Sequence, residues 1–364
     1  MSKKGRVLMA MSGGIDSTIA AILLHEDGYE VIGITMKTWD YESSGVGKKE
    51  TGCCSLDSIN DARQIAVDFN FPHTILDIRS EFGDHIINNF VEEYIKGRTP
   101  NPCILCNTHI KWEALLKRAD MLKCDYIATG HYAQIRKEDG RFVIYQGIDA
   151  SKDQSYVLWG VSQDCLQRTI FPMGKFYKKD IKQMALDRGY TSLAKKSESY
   201  EICFIPDNDY RGFLKRRVPQ LEKKVSGGDF ISIHGDKLGT HDGYPFYTVG
   251  QRKLGVSLGS EPSYVLEINS QTNTIVVGTK EDLKKQEVII RDVNYVKYNS
   301  IEDGMQFLVK IRYKHTGEIA TITNEGDYLK VLFHKKVQGV APGQSAVVYE
   351  GNDLVAGGFI MKNI

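Results

Sequence analysis

A short glycine turn near the N-terminus has the residue types of an anion-binding site. The segment "SGGIDS", residues 12–17, separates the apolar run Val7–Met11 from a helical pattern that starts at Ile15. Such a turn directs several backbone N–H groups toward one point at the positive end of a helix, which is typical of phosphate binding. The alternative is an ordinary glycine turn that leads into a helix.

The same turn differs from a Walker loop, because no Gly-Lys-Ser/Thr ending follows it. Hydroxyl groups, backbone amides and the single carboxylate of Asp16 suit a pyrophosphate group instead, and Asp16 is a candidate Mg²⁺ ligand. This composition predicts that ATP is split between its α- and β-phosphates, with transfer of AMP.

Three cysteines stand in segments that could carry thiol chemistry. Cys103 and Cys106 lie in "GRTPNPCILCNTHIKW" (97–112), and Cys203 lies in "SESYEICFIP" (197–206). Cys106 follows a polar Asn-Pro loop and precedes a helix that we predict to begin near Asn107. The N-terminus of a helix lowers the pKa of a thiol and favours the reactive thiolate. Cys203 stands in a less polar run and, taken alone, would be assigned to the core.

These residues require elements that bring them together, and the first half of the chain alternates strands with helices. The strands are predicted at Val7–Met11, Val31–Met36, His73–Ile78 and Tyr126–Thr129, and the helices at Ile15–Glu26, Ser58–Phe69, Glu81–Lys96 and His109–Lys123. The fold class is therefore α/β, with an N-terminal doubly wound parallel sheet. Ligands of such sheets bind beyond the carboxyl ends of the strands, so three distant segments should meet in one crevice.

The alternation of strands and helices ends after about Pro206. Residues 227–280 are typical of short strands with many glycines, and residues 286–364 alternate strongly, as in "FLVKIRYK" and "QSAVVYE". This pattern predicts a small β-rich central domain followed by a C-terminal β-barrel. We place the domains at 1–205, 206–284 and 285–364.

The composition bounds the class of protein. The 364 residues carry 47 basic and 46 acidic side chains, so a nucleic-acid partner would have to bind a local basic face. One such cluster could equally be a solvated helix face: Arg211, Lys215, Arg216 and Arg217. No apolar run is long enough to cross a membrane, and the N-terminus lacks the pattern of a secretory signal, so we expect a cytoplasmic protein. Seven cysteines in such a chain favour metal or thiol chemistry over a disulfide framework.

The glycine turn resembles that of the PP-loop ATP pyrophosphatases, which adenylate an oxygen atom and then displace AMP. With the cysteine segments the resemblance narrows to the family of bacterial tRNA-specific 2-thiouridylases, over essentially the whole chain. The matching segments, in order, are "MSGGIDS", "TPNPCILCN", "ATGHYA", "KDQSYVLW", "EICFIP", "YTVGQRK", "KIRYKHTG" and "APGQSAVVY". This resemblance implies a PP-loop domain, a central domain and a C-terminal β-barrel. It also implies replacement of the C2 oxygen of the tRNA wobble uridine by sulfur.

The resemblance also implies roles for individual residues. The implied ATP site consists of Ala10, Met11, Ser12, Gly13, Gly14, Ile15, Asp16, Ser17, Met36 and Gly130. The implied contacts to the target base and to tRNA are Asn101, Pro102, Cys103, His131, Lys152, Asp153, Gln154, Arg312, Tyr313 and Gln344. Cys106 would be the nucleophile, and Cys203 would carry sulfur as a persulfide received from a donor protein. The cycle would leave a disulfide between these two cysteines, and we expect the protein to be a monomer.

The sequence departs from the family pattern at Cys103, where the family usually has aspartate. Cys103, Cys106 and Cys203 could therefore form a set of three thiolates. Related sulfur-inserting enzymes hold an iron–sulfur cluster on three cysteines, and thiolates suit such a cluster. Sulfur carried as a persulfide and sulfur carried on a cluster both remain open at this stage, and zinc on the same three thiolates is a further alternative. For the reaction as a whole, the alternative is another PP-loop ligase that acts on a small molecule.

Overall fold

The computed structural model describes residues 4–39, 55–196, 202–258 and 261–361. The chain forms two compact units. Unit 1 comprises Met1–Ile86, Cys103–Asn208 and Asn352–Leu354, and unit 2 comprises Ile87–Pro102, Asp209–Gly351 and Val355–Ile364. The domain boundaries near 205 and 284 stay predictions. Cys53 and Cys54 lie outside the described residues.

The sheet of unit 1 agrees with the predicted strands. The strands of this unit are β1 (Arg6–Ala10), β2 (Glu30–Lys37), β3 (His73–Asp77), β4 (Tyr126–Ala128), β5 (Ala133–Glu138), β6 (Arg141–Gln146) and β7 (Thr169–Ile170). Five of them form a parallel sheet in the order β3-β2-β1-β4-β7, and β5 and β6 form an antiparallel hairpin. The strand order reverses direction at β1 and β4, which are neighbours, so the predicted doubly wound sheet is confirmed. Ligand sites of such sheets lie at this point of reversal.

The helices follow the strands as an alternating pattern requires. In chain order they are α1 (Ile15–Glu26), α2 (Leu56–Asp68), α3 (Arg79–Phe82), α4 (Asn88–Ile95), α5 (Pro102–Leu105), α6 (Glu113–Met121), α7 (Gln163–Leu166), α8 (Lys178–Asp187), α9 (Thr191–Lys195), α10 (Tyr210–Arg217) and α11 (Leu221–Val225). Two π-helical stretches join neighbouring helices: Gly83–Ile87 precedes α4, and Cys106–Trp112 connects α5 to α6. Short 3₁₀ turns occupy Ser155–Leu158, Pro172–Lys175 and Tyr244–Phe246.

The core of unit 1 forms where α1 covers β1. Val7 and Met9 are fully buried, as are Ile19 and Ile22 of the helix. Each such side chain contributes roughly 1.5–3 kcal/mol by leaving water. The packing therefore fixes the turn that joins β1 to α1, because both of its ends belong to the core.

Unit 2 contains a small sheet and a barrel. The small sheet consists of β8 (Gly228–Ser232), β9 (Lys237–His241), β10 (Tyr264–Asn269) and β11 (Thr274–Gly278), in the order β10-β11-β8-β9. The barrel consists of β12 (Lys284–Tyr295), β13 (Gln306–Lys310), β14 (Glu318–Asn324), β15 (Tyr328–Gln338), β16 (Ser345–Glu350) and β17 (Asp353–Ile360). Pairing of β12 with both β15 and β17 closes it, which confirms the predicted barrel. None of the helices in the described ranges is both long and apolar enough to span a bilayer.

Candidate active site

The glycine turn after β1 is held in one conformation by its own hydroxyls and by α2. Gly13 has φ +67°, and a Cβ at this position would come within 2.0 Å of the Ser58 carbonyl oxygen, so only glycine fits. The Ser12 N–H donates to Ser17 Oγ at 3.0 Å, and Ser17 Oγ donates to the Gly14 carbonyl at 3.1 Å. The turn is therefore preorganised before any ligand binds.

The carboxyl ends of three strands meet at this turn. A Cβ on Gly130, just after β4, would lie 2.9 Å from the Ser17 nitrogen, so the chain passes close enough here to require glycine. Met11 donates its N–H to the Ile34 carbonyl at 2.8 Å, and Met36 lies at the end of β2. The predicted nucleotide residues of β1, β2 and β4 are thus brought to one edge of the sheet, which is the predicted crevice.

Asp16 has a partner that the sequence did not reveal. The Lys178 ammonium, at the start of α8, donates to both carboxylate oxygens of Asp16, at 2.6 and 2.7 Å. The Lys178 side chain is only 9% exposed. The Tyr132 hydroxyl donates to Asp16 Oδ1 at 2.7 Å, and its ring lies 5.7 Å from the ammonium. A buried cation therefore lies beside the turn, where a polyphosphate would need charge neutralisation.

This arrangement bears on the predicted Mg²⁺ ligand. Carboxylate oxygens are the ligands that Mg²⁺ prefers. Both oxygens of Asp16 accept hydrogen bonds from Lys178, so direct ligation of a metal by Asp16 requires that lysine to move. Ligation of Mg²⁺ by Asp16 stays a prediction.

The helix that carries Cys106 begins earlier than predicted. It starts at Pro102 rather than near Asn107, and α5, the π-helical stretch and α6 run on from one another to Met121. Proline suits the first position of a helix because its missing N–H has no partner there in any case. Cys106 lies one turn inside this helix and is 8% exposed, so the predicted position of Cys106 at a helix N-terminus is wrong. The residue in the first helical turn is Cys103.

Several polar contacts fix the helix around Cys106. Asn107 donates through its side-chain amide to the Val157 carbonyl at 2.9 Å. Trp112 donates its indole N–H to Thr169 Oγ1 at 2.9 Å, and both of these side chains are buried. Since the next residue and the far end of the π-helical stretch are both fixed, the Cys106 thiol has a defined position.

Lys111 lies close enough to two predicted substrate residues to influence both. The Cys103 side chain is exposed, but the protein around its sulfur removes part of the water from it. This desolvation raises the pKa of the thiol, and the Lys111 charge lowers it. Burial lowers the pKa of His131 well below its usual 6.5, and Lys111 lowers it further. His131 is therefore neutral at physiological pH, with Nδ1 2.8 Å from Thr129 Oγ1.

Cys203 is exposed on an irregular turn, not buried as its neighbours suggest. The next residue, Phe204, is buried, and its ring contacts those of Trp39 and Phe82 at centroid distances of 6.3 and 5.8 Å. Phe82 belongs to α3, and α3 contacts the π-helical stretch that starts at Cys106. This chain of contacts brings the Cys203 segment into the neighbourhood of the Cys106 helix.

The described cysteines bear on the predicted disulfide and the predicted three-thiolate set. The cysteines of the described ranges, Cys103, Cys106, Cys124, Cys165 and Cys203, form no disulfide with one another. In the same part of the chain, no three cysteine, histidine or acidic side chains are grouped so that they could hold a metal ion.

The predicted tRNA residues of unit 1 form a compact turn. Asp153 accepts hydrogen bonds from the Gly147 and Ser155 N–H groups at 3.1 and 3.2 Å. Gln154 Oε1 accepts the Tyr132 N–H at 2.9 Å. Asp153 therefore holds Gly147 and Ser155 together, Gln154 holds the backbone at Tyr132, and Lys152 supplies the positive charge of the three residues.

The predicted tRNA residues of unit 2 divide into two settings. Arg312 and Tyr313 are exposed in the loop between β13 and β14, and Arg312 Nη1 donates to the Gln338 carbonyl at 2.8 Å. Gln344 instead donates its side-chain amide to the carbonyls of Thr99 and Pro100, at 3.0 and 3.1 Å. Gln344 thereby holds the residues just before Asn101 and Pro102.

Comparisons with known proteins place these features in one class. A sequence model of the tRNA methyl transferase HUP domain matches residues 5–207, one of the tRNA methyl transferase PRC-barrel domain matches residues 211–279, and one of the aminomethyltransferase beta-barrel domain matches residues 285–360. The fold and the glycine turn at residues 12–17 thus belong to a protein of the tRNA methyl transferase HUP-domain class, in which three domain models follow one another along the chain.

Full-length relatives narrow that class. The chain is 60% identical to the tRNA-specific 2-thiouridylase MnmA of Cytophaga hutchinsonii, over 100% of this chain and 99% of the relative. It is 60% identical to the same protein of Amoebophilus asiaticus over 98% and 96%, and 53% identical to that of Salinibacter ruber over 99% and 95%. The chain belongs to the tRNA-specific 2-thiouridylase MnmA family.

Proposed function

We propose that this chain catalyses the ATP-dependent 2-thiolation of the wobble uridine of tRNA, with sulfur delivered from a persulfide on Cys203. Family membership supports the overall reaction. The observation that carries the proposed sulfur route is the chain of contacts from Phe204 through Phe82 to the helix of Cys106. These contacts connect the segments that carry the two cysteines within unit 1.

The first step activates the base. A uridine carbonyl is a poor electrophile, and its oxygen is a poor leaving group. Attack of the C2 oxygen on the α-phosphorus of ATP forms an adenylated base and releases pyrophosphate. The N–H groups of the turn at Ser12–Gly14 would stabilise the charge that develops on the phosphates, and so would the Lys178 ammonium, which lies beside Asp16.

The second step transfers sulfur. The terminal sulfur of the Cys203 persulfide attacks C2 and AMP leaves, so that a disulfide joins Cys203 to the base. The Cys106 thiolate then attacks the sulfur of Cys203, which releases 2-thiouridine and leaves a Cys106–Cys203 disulfide. Alternatively, Cys106 attacks the persulfide first and frees sulfide, which then displaces AMP. Both orders consume the same two electrons, and a cellular thiol must reduce the disulfide before the next cycle.

Exposure of Cys203 and burial of Cys106 support persulfide transfer over an iron–sulfur cluster. A donor protein can reach an exposed thiol to load it with sulfur. A cluster on Cys103, Cys106 and Cys203 requires three converging ligands, and no such group occurs among the described residues. The proposed persulfide route uses Cys106 and Cys203 and assigns no covalent step to Cys103.

The tRNA would be held by contacts that position it without reading much sequence. Lys152 and Arg312 are suited to phosphate or sugar contacts, and exposed Tyr313, 40% accessible, offers a stacking face beside Arg312. The wobble base must leave its stack to reach Cys106, so these contacts have to offset an unstacking cost of a few kcal/mol. Asn101, Pro102, Cys103 and the neutral His131 are the proposed contacts of the displaced base.

The proposal is tested by incubating the protein with unmodified tRNA, ATP, Mg²⁺ and a persulfide donor, followed by nucleoside analysis by mass spectrometry. We expect 2-thiouridine, AMP and pyrophosphate in equal amounts, and none of the thiolated product with Cys203→Ser. ATP consumption without any thiolated base would refute the assignment.

The sulfur carrier is tested with Cys103→Asp. Thiolation by this variant in air is expected under the persulfide mechanism. Loss of activity together with loss of iron, measured on anaerobically purified protein, would favour the cluster.

A further inference from the structure

The Lys196 side chain joins three parts of unit 1 that the reaction uses. Its ammonium donates to the Gly13 carbonyl at 3.2 Å and forms an ion pair with Asp61 of α2. Lys196 itself directly follows α9 and precedes Cys203 by seven residues. One cation therefore contacts both the glycine turn at residues 12–17 and α2, and it belongs to the residue at which the segment leading to Cys203 begins.

We propose that Lys196 is a positioning residue for sulfur transfer, which fastens the start of the Cys203 segment to the phosphate-binding turn. This inference rests on the proposed sulfur route through Cys203. It assigns to Lys196 no contact with the reacting atoms. Its function is to fix where the segment begins relative to Gly13, so that Cys203 approaches the activated base from a defined point.

The segment is anchored on both sides of Cys203. On one side stands the Lys196 contact with Gly13 and Asp61, and on the other stands Phe204 between Trp39 and Phe82. Seven residues can span no more than about 25 Å, so two fixed ends restrict the positions that Cys203 can reach. Loss of one anchor widens that range and raises the entropy that must be lost before the sulfur arrives.

Through Gly13, the Lys196 contact connects the start of the Cys203 segment to the proposed nucleotide site. The Gly13 carbonyl belongs to the turn that binds phosphate, and the same residue packs directly on the backbone of Ser58 in α2. Asp61 lies one helical turn beyond Ser58 on the same helix. The cation thus contacts the turn and its supporting helix together, so the start of the Cys203 segment is fixed relative to the residues proposed to bind phosphate.

The ion pair between Lys196 and Asp61 contributes little to the stability of the fold. The side chains of Lys196 and Asp61 are 36% and 37% exposed, and pairs this open to water add little to global stability. Substitution of Lys196 should therefore leave the fold intact and change the geometry of one step.

The test compares Lys196→Met with Lys196→Arg and uses Lys195→Met as the matched control. Lys195 is the adjacent lysine, and its side chain is exposed. Three quantities are measured with the full chain: the Kd for ATP, the burst of pyrophosphate with tRNA, and the single-turnover rate of thiolation from enzyme preloaded with persulfide.

For Lys196→Met we expect a thiolation rate about 10- to 100-fold lower, which is typical of a misplaced reacting group. Its Kd for ATP and its pyrophosphate burst should match those of Lys195→Met. Lys196→Arg should recover most of the rate, because arginine can reach the same two acceptors. Asp61→Asn should lower the thiolation rate in the same selective way.

Two results would overturn the inference. Thiolation by Lys196→Met at the rate of Lys195→Met would show that the link does not position the segment. A large rise in the Kd for ATP, or loss of the pyrophosphate burst, would instead make Lys196 a nucleotide ligand. Failure of the unsubstituted protein to thiolate tRNA would refute the proposed function, which is a separate outcome.

Discussion

The two thiols of the proposed reaction stand in opposite surroundings. Cys106 is buried within a helix that runs from Pro102 to Met121, and the adjacent Asn107 is hydrogen-bonded to a neighbouring segment. Cys203 is exposed on an irregular turn, next to the buried Phe204. The difference separates a thiol of fixed position from a thiol that another protein can reach.

This separation matches the proposed role of each thiol. A sulfur donor must contact the thiol that it loads, so that thiol has to lie at the surface. The resolving thiol must meet only the loaded partner, and burial protects it from other electrophiles. The comparison therefore predicts which thiol is loaded, which is trapped and which step each substitution stops.

The largest effects should come from replacing the thiols themselves. Cys203→Ser and Cys106→Ser should each lower thiolation by at least about 10³-fold, as expected when a covalent nucleophile is removed. The two variants should differ in one observable. Cys106→Ser should still gain the mass of one sulfur atom on Cys203 after incubation with the donor, whereas Cys203→Ser should gain none on Cys106.

The control for this pair is Cys124→Ser, because Cys124 is a buried cysteine with no proposed role. It should retain thiolation. A persulfide found on Cys106 in the Cys203→Ser variant would reverse the assignment of the two thiols.

The next largest effect should fall on the nucleotide end of the site. Lys178→Met removes the ammonium beside the turn, and the pyrophosphate burst should fall by about 10²-fold because the charge on the phosphates loses a preorganised partner. Persulfide loading of Cys203 should be unchanged. Lys179→Met, at the adjacent exposed lysine, is the matched control. An unaltered burst in Lys178→Met would mean that the lysine serves only to pair with Asp16.

Chemical labelling tests the difference in access directly. With a small alkylating reagent and peptide mapping, Cys203 should react at least about tenfold faster than Cys106, since thiol reactivity follows exposure as well as thiolate content. Addition of saturating tRNA should slow the labelling of Cys203. Equal rates for the two cysteines in the absence of tRNA would contradict the comparison.

The sequence predicted local features far better than distant partners. The turn at Ser12–Gly14 was found because glycines, a strand and a helix follow one another within a few residues. The predicted helix start near Asn107 is wrong because Pro102 is the first residue of that helix and not part of a loop. The partners Lys178 and Lys196 contact the turn across 162 and 183 residues, and no local pattern records such pairs.

A smaller effect should follow from Gln344→Ala. The side-chain amide of Gln344 holds the carbonyls of Thr99 and Pro100, just before the helix of Cys106 begins. Loss of roughly 1 kcal/mol of hydrogen bonding should raise the KM for tRNA about fivefold and leave kcat nearly unchanged. Gln306→Ala, at an exposed glutamine of β13, is the control. A fall in kcat alone would mean that the loop acts on chemistry and not on binding.

The smallest expected effect is on the pH dependence of stability, and it tests whether water is excluded from His131. Burial lowers the pKa of His131, whose ring lies 5.6 Å from that of Trp112 at the end of the π-helical stretch. The pKa of this histidine in the unfolded chain is about 6.5, so below pH 6.5 the unfolded chain binds a proton that the folded protein does not bind. The free energy of unfolding is therefore highest above pH 6.5 and decreases as the pH falls.

Unfolding is followed by tryptophan fluorescence, because Trp39, Trp112 and Trp159 all lie in unit 1. Between pH 7.5 and 5.5 the free energy of unfolding should fall less in His131→Gln than in the unsubstituted protein, by up to about 1 kcal/mol. The same pH dependence in both would mean that water reaches His131 and that burial does not lower its pKa.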